Sequence, residues 1–140
     1  MSRWNTIGTT FYGNAINYFK ELELFTSLTR IENNALWIPT LSKLVLPQSI
    51  TYIGQNSIRG TSITELTIPA SVTSIATGGI EFNAQMRTLT CLPTTPPALS
   101  RSLSGMTSLE TVYVPAASLE TYKQANYWSS LASKMVAIPE

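Results

Sequence analysis

The 140-residue sequence contains no histidine and no aspartate, and Cys91 is its single cysteine. Histidine is the usual general base, so its absence excludes Ser-His-Asp triads, Cys-His pairs and most clustered metal sites. One cysteine cannot form an internal disulfide framework. Eight glutamates remain, and a suitably spaced pair could hydrolyse a glycosidic bond, which leaves one enzyme class open as an alternative. We expect a protein that is not an enzyme and that binds neither a cofactor nor a metal.

Charge is also scarce. Charged residues make up only 12% of the chain and the net charge is +1, whereas serine and threonine together number 35. A surface of hydroxyl groups has little long-range field, so we expect neither nucleic acid nor an anionic membrane as a partner. No apolar run reaches the roughly 18 residues of a membrane span, so no membrane insertion is expected. Residues 1–6 lack the apolar segment of a signal peptide, which favours synthesis in a cytoplasm without export by that route.

Two signatures recur along the chain at a spacing of 22 or 23 residues. The first, Ser-x-Thr-x-Ile, is found at 27–31, 49–53 and 71–75. The second is close to Leu-x-x-Leu-x-Leu-Pro and begins at residues 41, 63, 86 and 109. Two signatures in one register over four units indicate small units that stack and bury a shared core.

The second signature predicts short strands. Its apolar residues alternate, so one face points inward, and the following proline ends the hydrogen bonding because it lacks an N–H. We predict strands at 44–46, 66–68, 89–92 and 112–114, paired in parallel in a right-handed solenoid of about four coils. The extra residue near Cys91 predicts a bulge there, with the thiol buried and inert. The predicted core residues are Leu44, Leu46, Leu66, Ile68, Leu89, Val112, Val114, Ile31, Ile53 and Ile75.

These residues resemble the BspA-like leucine-rich repeats of Bacteroidales bacteria and their phages. The resemblance covers roughly residues 22–139 and is most specific at the C-terminus, in Thr94-Thr95-Pro96-Pro97, residues 112–123 and residues 128–135. Two repeats are one residue shorter than the usual 23, and the family's Ala-Phe pair reads Ala35-Leu36, Ser57-Ile58 and Gly79-Ile80 without the cysteine that follows it. The resemblance implies a β-rich leucine-rich-repeat solenoid that serves recognition or structure and has no catalytic residues.

The ends of the chain differ from the repeats at 26–115. Ile16, Phe19 and Leu22 have near-helical spacing and predict an N-terminal cap helix over 14–25. A second helix after Ser118 and an apolar turn are expected to form the C-terminal cap, 116–140. Residues 1–13 are interpreted as an N-terminal arm. Its aromatic residues, Trp4, Phe11 and Tyr12, either fold over the first coil or dock on a partner.

Further candidate contact residues lie at outward positions of the strands. They form two columns, one of Lys43, Glu65, Thr88 and Thr111 and the other of Val45, Thr67, Thr90 and Tyr113. These columns are either a ligand-binding face or an ordinary solvated β-face rich in threonine. Trp37, in a turn beside Pro39, is a further candidate. A ladder of Thr29, Thr51 and Thr73 is interpreted as structural.

The function expected from these observations is a non-catalytic binding or structural module. The preferred hypothesis is a virion protein of a phage, used as a capsid decoration, fibre or tail adaptor. The alternative is a bacterial cell-surface adhesin whose signal peptide has been removed. The expected partners are protein subunits of an assembly, which could be further copies of the chain, and a host surface glycan or protein.

Overall fold

The computed structural model describes residues 6–7, 18 and 20–139. Its described part is built from short strands and few helical elements. The strands are β1 (Thr6–Ile7), β2 (Arg30–Ile31), β3 (Tyr52–Ile53), β4 (Glu65–Ile68), β5 (Ser74–Ile75), β6 (Thr88–Cys91), β7 (Ala98–Leu99), β8 (Thr111–Val114) and β9 (Met135–Ala137). The helical elements are α1 (Leu119–Gln124) and 3-10 helices at Lys20–Leu24, Ala116–Ser118 and Trp128–Lys134.

The strands form two sheets whose described pairings are all parallel. The short-strand sheet has the order β1-β2-β3-β5-β7, and the long-strand sheet has the order β4-β6-β8-β9. Strand partners are 22 to 24 positions apart in the chain, as in Arg30 with Tyr52 and Glu65 with Thr88. Each sheet therefore joins equivalent positions of successive repeats.

The long-strand sheet follows the predicted alternation. Along β4 the residues are exposed, buried, exposed and buried in turn, and β6 and β8 bury the same two positions. The predictions at 66–68, 89–92 and 112–114 are confirmed to within a residue or two. All ten predicted core residues are buried and belong to one continuous hydrophobic core.

The predicted strand at 44–46 is wrong. Leu44 and Leu46 are buried and Val45 is exposed, but in the described residues the segment forms only an isolated parallel bridge between Lys43 and Tyr18. β4, which should pair with it, is the edge of the long-strand sheet. Alternating side chains predict which residues are buried, but a strand also needs hydrogen bonds to a neighbouring segment, and among the described residues none joins 44–46 to β4.

The predicted bulge at Cys91 is also wrong, although the thiol is buried as expected. β4 and β6 stay in register from Glu65–Thr88 through Ile68–Cys91. The offset between paired residues rises from 23 at Ile68–Cys91 to 24 at Ser74–Ala98, so the extra residue lies just beyond the strand, in segment 92–97. This segment is outside the strands, where a change of length costs less than in a buried ladder.

Side-chain hydroxyl groups hold the short-strand sheet together. Thr51 Oγ1 donates to the carbonyl of Thr29, and Thr73 Oγ1 donates to the carbonyl of Thr51, each at 3.1 Å. The Ser71 hydroxyl lies 2.7 Å from the carbonyl of Gln48 in the preceding repeat. Gly54 packs directly against the main chain of the preceding repeat. A side chain is not tolerated there, because a Cβ would lie 2.6 Å from the carbonyl oxygen of Ile31. The structural interpretation of the threonine ladder is confirmed.

The C-terminal segment is attached to the repeats through main-chain carbonyls of residues 93–97. Tyr122 Oη donates to Pro93 at 2.7 Å, Ser118 Oγ to Thr94 at 2.6 Å, and Trp128 Nε1 to Pro97 at 2.8 Å. The buried rings of Tyr122 and Trp128 meet edge to face with centroids 5.4 Å apart. The helix expected after Ser118 is therefore present as α1, and its aromatic residues anchor it.

The N-terminal region is described only in part. Thr6–Ile7, within the predicted arm, form β1 and pair with Arg30–Ile31 in the short-strand sheet. That sheet therefore begins ahead of the predicted repeat boundary at residue 26. Within the predicted cap at 14–25, Lys20–Leu24 form a 3-10 helix in place of an α-helix, and Leu22 is buried. Trp4, Phe11 and Tyr12 lie outside the described residues.

Candidate functional site

A groove of about 380 Å³ lies between β4 and the segment 43–48. It occupies the place where the predicted strand pairing is missing. The groove is lined by side chains of both chemical types, the apolar Leu44, Val45, Leu46 and Leu66 and the polar Lys43, Gln48, Glu65, Thr67, Thr88 and Thr90. Its volume falls in the range of small-ligand pockets, and its polar groups can both donate and accept hydrogen bonds.

The main chain of β4 contributes to the groove as well. The carbonyls of Thr64 and Ile68 accept hydrogen bonds from the β6 side, from Thr88 and Leu92. In a parallel ladder alternate residues bond to opposite sides, so the main-chain groups of Glu65 and Thr67 are directed toward the groove. A ligand there can use backbone donors and acceptors in addition to the side chains.

Hydrogen bonds join the two flanking segments on either side of the groove. At one end the N–H of Ser62 donates to the carbonyl of Leu41 at 2.8 Å, and at the other Ser71 Oγ donates to the carbonyl of Gln48. An inserted strand would need about 4.8 Å on each side, which these two hydrogen bonds do not allow. The groove therefore suits a side chain or a sugar ring that enters from outside.

The structure brings together six of the eight predicted outward residues, since the groove is lined by Lys43, Val45, Glu65, Thr67, Thr88 and Thr90. Lys43 Nζ also lies 4.9 Å from the ring centroid of Tyr18. Tyr113 is half-buried on the same face of the long-strand sheet, but it lies on β8, two strands from β4. Trp37 lies apart from the groove lining and contacts Arg59.

Of the residues that line the groove, Glu65 alone carries a carboxylate. Buried Glu81 accepts a hydrogen bond from Ser104 Oγ at 2.5 Å and forms an ion pair with Arg101 at 3.2 Å. No group of three His, Cys, Asp or Glu side chains that could hold a metal is found in the described part of the chain. Burial raises the pKa of the Cys91 thiol well above its ordinary value, so the thiol stays protonated and unreactive.

A second surface feature was missed by the sequence analysis. The guanidinium of Arg59 lies over two aromatic rings, 5.4 Å from the centroid of Trp37 and 4.4 Å from that of Phe82. These three residues come from successive repeats, 22 and 23 positions apart. A comparison of the repeats by position could have found the feature, because Phe82 stands where the neighbouring repeats have Gly60 and Gly105.

Comparison with known families agrees with this architecture. The profile of the BspA type leucine-rich repeat region matches residues 5–134, with six copies of the repeat. The chain belongs to this family. No curated protein matches it. The match to the BspA-type repeat begins ahead of β1, in keeping with the pairing of β1 in the short-strand sheet. Within the described residues of this BspA-type protein, no helix has the length and apolar character needed to cross a membrane.

Proposed function

We propose that this BspA-type protein is a non-catalytic binding module that holds another macromolecule in the groove beside β4. The observation that carries the proposal is the open pairing between segment 43–48 and β4, which leaves main-chain groups of Glu65 and Thr67 directed toward a 380 Å³ space. In β6 and β8, by contrast, the main-chain groups are hydrogen-bonded to a neighbouring strand on each side. The groove offers main-chain donors and acceptors that no other described residue of the chain uses.

The absence of catalysis is part of the proposal. Glycoside hydrolysis uses two carboxyl groups on opposite sides of the scissile bond, commonly about 5 to 9.5 Å apart. Glu65 is the single carboxylate among the described residues of the groove lining, and Glu81 is engaged by Ser104 and Arg101. Both observations favour recognition over chemistry.

The partner that we propose first is a protein, since repeat proteins of this kind present extended surfaces to other chains. The more specific setting is a phage virion, in which the chain acts as a capsid decoration, fibre or tail adaptor and contacts subunits of the assembly. A bacterial surface adhesin is the second candidate. A host glycan is a second type of ligand for the groove, favoured by its hydroxyl-rich lining and its size.

We further propose the arrangement that would present this surface. The parallel pairing of equivalent positions supports a right-handed solenoid, whose short-strand sheet has five strands where about four coils were expected. Residues 14–25 and 116–140 would cover its two ends. The hydrogen bonds from Tyr122 and Trp128 to the preceding repeat support the second of these roles.

Site-specific crosslinking tests the binding face. A photoreactive p-benzoylphenylalanine is placed at Thr67 in the groove, with a matched variant at exposed Thr121 on α1 as the control. Each tagged protein is irradiated in its native host, and crosslinked chains are identified by mass spectrometry. The proposal expects one defined partner protein from position 67 and none from position 121. Equal labelling at both positions would show that the groove is not the binding face.

Two further measurements separate the alternatives. A glycan microarray probed with the wild-type chain and with Glu65→Gln tests the sugar ligand, and loss of a specific signal in the variant would favour the glycan over the protein partner. Mass spectrometry of purified phage particles and of the cell envelope tests the setting. Recovery from the envelope and not from particles would contradict the virion proposal.

A further inference from the structure

Arg59 is held in a fixed position on the surface by two aromatic rings. The guanidinium lies over the faces of both Trp37 and Phe82, which attract its charge, and one of its nitrogens donates to Asn56 Oδ1 at 2.7 Å. Arg59 is half-buried, whereas Phe82 is 44% exposed. The three residues form what we call the Arg59 stack, which spans three successive repeats.

Phe82 adopts a backbone conformation that a phenylalanine normally avoids. Its φ is +57°, and the residues at the equivalent position of the adjacent repeats, Gly60 and Gly105, have φ of +63° and +69°. Glycine adopts this left-handed region without strain, while a bulky side chain does so at a cost. Strain of this kind is most often found where a side chain is needed for function. Glycine would satisfy the turn, so the turn itself does not explain the phenylalanine.

Arg59 also differs from the other arginines that the structure describes. Arg30 pairs with Glu32, Arg87 with Glu110, and Arg101 with Glu81, at 2.9, 2.7 and 3.2 Å. No carboxylate of the described residues pairs with Arg59. Its hydrogen bond to a neutral amide leaves the positive charge uncompensated and most of its five N–H donors available.

We infer that the Arg59 stack is a second interaction surface, which binds an Asp or Glu side chain of a partner protein. A planar guanidinium with fixed orientation matches a carboxylate in a two-point contact, and the stacked rings reduce the side-chain entropy that such a contact costs. The exposed ring of Phe82 provides apolar contact beside the charge. Trp and Arg are the residue types that anchor protein interfaces, which favours a polypeptide over an acidic sugar. Because none of the three residues lines the groove, this surface is independent of the proposed function.

A peptide selection tests the inference. A random 12-residue display library is selected against the wild-type protein, and the recovered peptides are measured against variants by surface plasmon resonance. We expect peptides enriched in Asp or Glu, with affinity reduced about 30-fold or more by Arg59→Gln, as for an interface anchor. Arg59→Lys should lose about 5- to 10-fold, because it keeps the charge without the two-point geometry. Phe82→Asn should weaken binding and leave the fold intact, since Asn34 and Asn56 adopt positive φ in this chain.

The matched control is Arg87→Gln, which removes the same charge from an exposed arginine that is already paired with Glu110. It should change affinity less than about 2-fold, as expected for a surface ion pair. Circular dichroism melts check that every variant is folded. Selected peptides without acidic residues, or acidic peptides that bind equally to wild type and Arg59→Gln, would overturn the inference. Arg59-dependent binding to sialylated or uronate glycans on an array, with no such peptide recovered, would overturn the choice of a protein partner.

Discussion

The two sheets of this protein are stabilised in different ways and leave different surfaces. The short-strand sheet pairs only two residues per strand, and its serine and threonine hydroxyls donate to carbonyls of the preceding repeat. The long-strand sheet pairs up to four residues per strand and buries alternate apolar side chains. Its outward residues, such as Glu65 and Thr67, are exposed.

This difference distinguishes polar side chains that bond within the fold from polar side chains that face outward. In the short-strand sheet the polar side chains are already used within the fold, so the abundance of serine and threonine there reflects repeat-to-repeat bonding. In the long-strand sheet the buried side chains hold the fold and the outward side chains are left available for a partner. The groove lies at the edge of the long-strand sheet, where the pairing ends at β4.

The largest expected effect comes from truncating the core beneath the long-strand sheet. Leu66→Ala should lower the free energy of unfolding by roughly 2–5 kcal/mol, because it removes a buried apolar side chain and leaves a cavity in the core. Thr67→Ala, one residue away on the outward face, should change it by less than about 0.5 kcal/mol. Urea denaturation followed by circular dichroism measures both. A loss below about 1 kcal/mol for Leu66→Ala would mean that the two faces of β4 do not differ as described.

Alkaline pH tests how well water is excluded from the same interior. Burial raises the pKa of Cys91 and of Tyr122, with nearby Cys91 raising that of Tyr122 further. In the unfolded chain these groups ionise near about pH 8.5 and 10, so their stabilising contribution is complete below about 8.5 and is lost as the pH rises. Stability should fall by up to about 1.4 kcal/mol per pH unit for each group above those values.

The Cys91→Ala variant is the control for that pH profile. Its stability is lower throughout because of the missing side chain, but the decline should begin near about pH 10 in place of about 8.5. Urea melts at pH 7, 8, 9 and 10 under reducing conditions provide the comparison. If the free energy of unfolding begins to fall at the same pH in the wild type and the variant, the thiol ionises in the folded protein as readily as in the unfolded chain.

A smaller effect is expected in the short-strand sheet. Ser71→Ala removes the hydroxyl that lies within hydrogen-bonding distance of the carbonyls of Gln48 and Ile50. The loss should be about 0.5–1.5 kcal/mol, the usual contribution of one hydrogen bond. Exposed Ser108→Ala controls for the change in composition. If the two variants unfold at the same urea concentration, the hydroxyls do not stabilise this sheet.

The smallest effect is expected at the Arg59 stack. Phe82→Asn relieves strain of about 1–3 kcal/mol in the left-handed backbone and loses ring contacts of similar size, so the net change in stability should be within about 1 kcal/mol. A large destabilisation would mean that Phe82 is a packing residue, and the melts would then argue against a role in binding. This outcome is separate from the peptide measurements on Arg59→Gln and Arg59→Lys, which report on Arg59.

Much of the fold could be predicted from the sequence because the repeat carries it. The positions of β4, β6 and β8, the buried residues and the helix after Ser118 follow from spacing and alternation, which act locally. The groove residues Lys43 and Glu65 were also identified as outward positions. Their separation by a groove could not be predicted, because the pattern at Leu44-Val45-Leu46 is the same as in the repeats that do form strands.

The sequence by itself determined the family, the repeat spacing and the apolar core, since these depend on which residue types recur at which interval. The tertiary structure alone decided three other features: that the ladder opens beside β4, that the extra residue after Cys91 is taken up in segment 92–97, and that Arg59 lies over the rings of Trp37 and Phe82. Each depends on how one repeat meets the next. Hydrogen bonds and ring contacts between residues 22 or more positions apart depend on how successive repeats pack together. A local sequence pattern does not specify that packing.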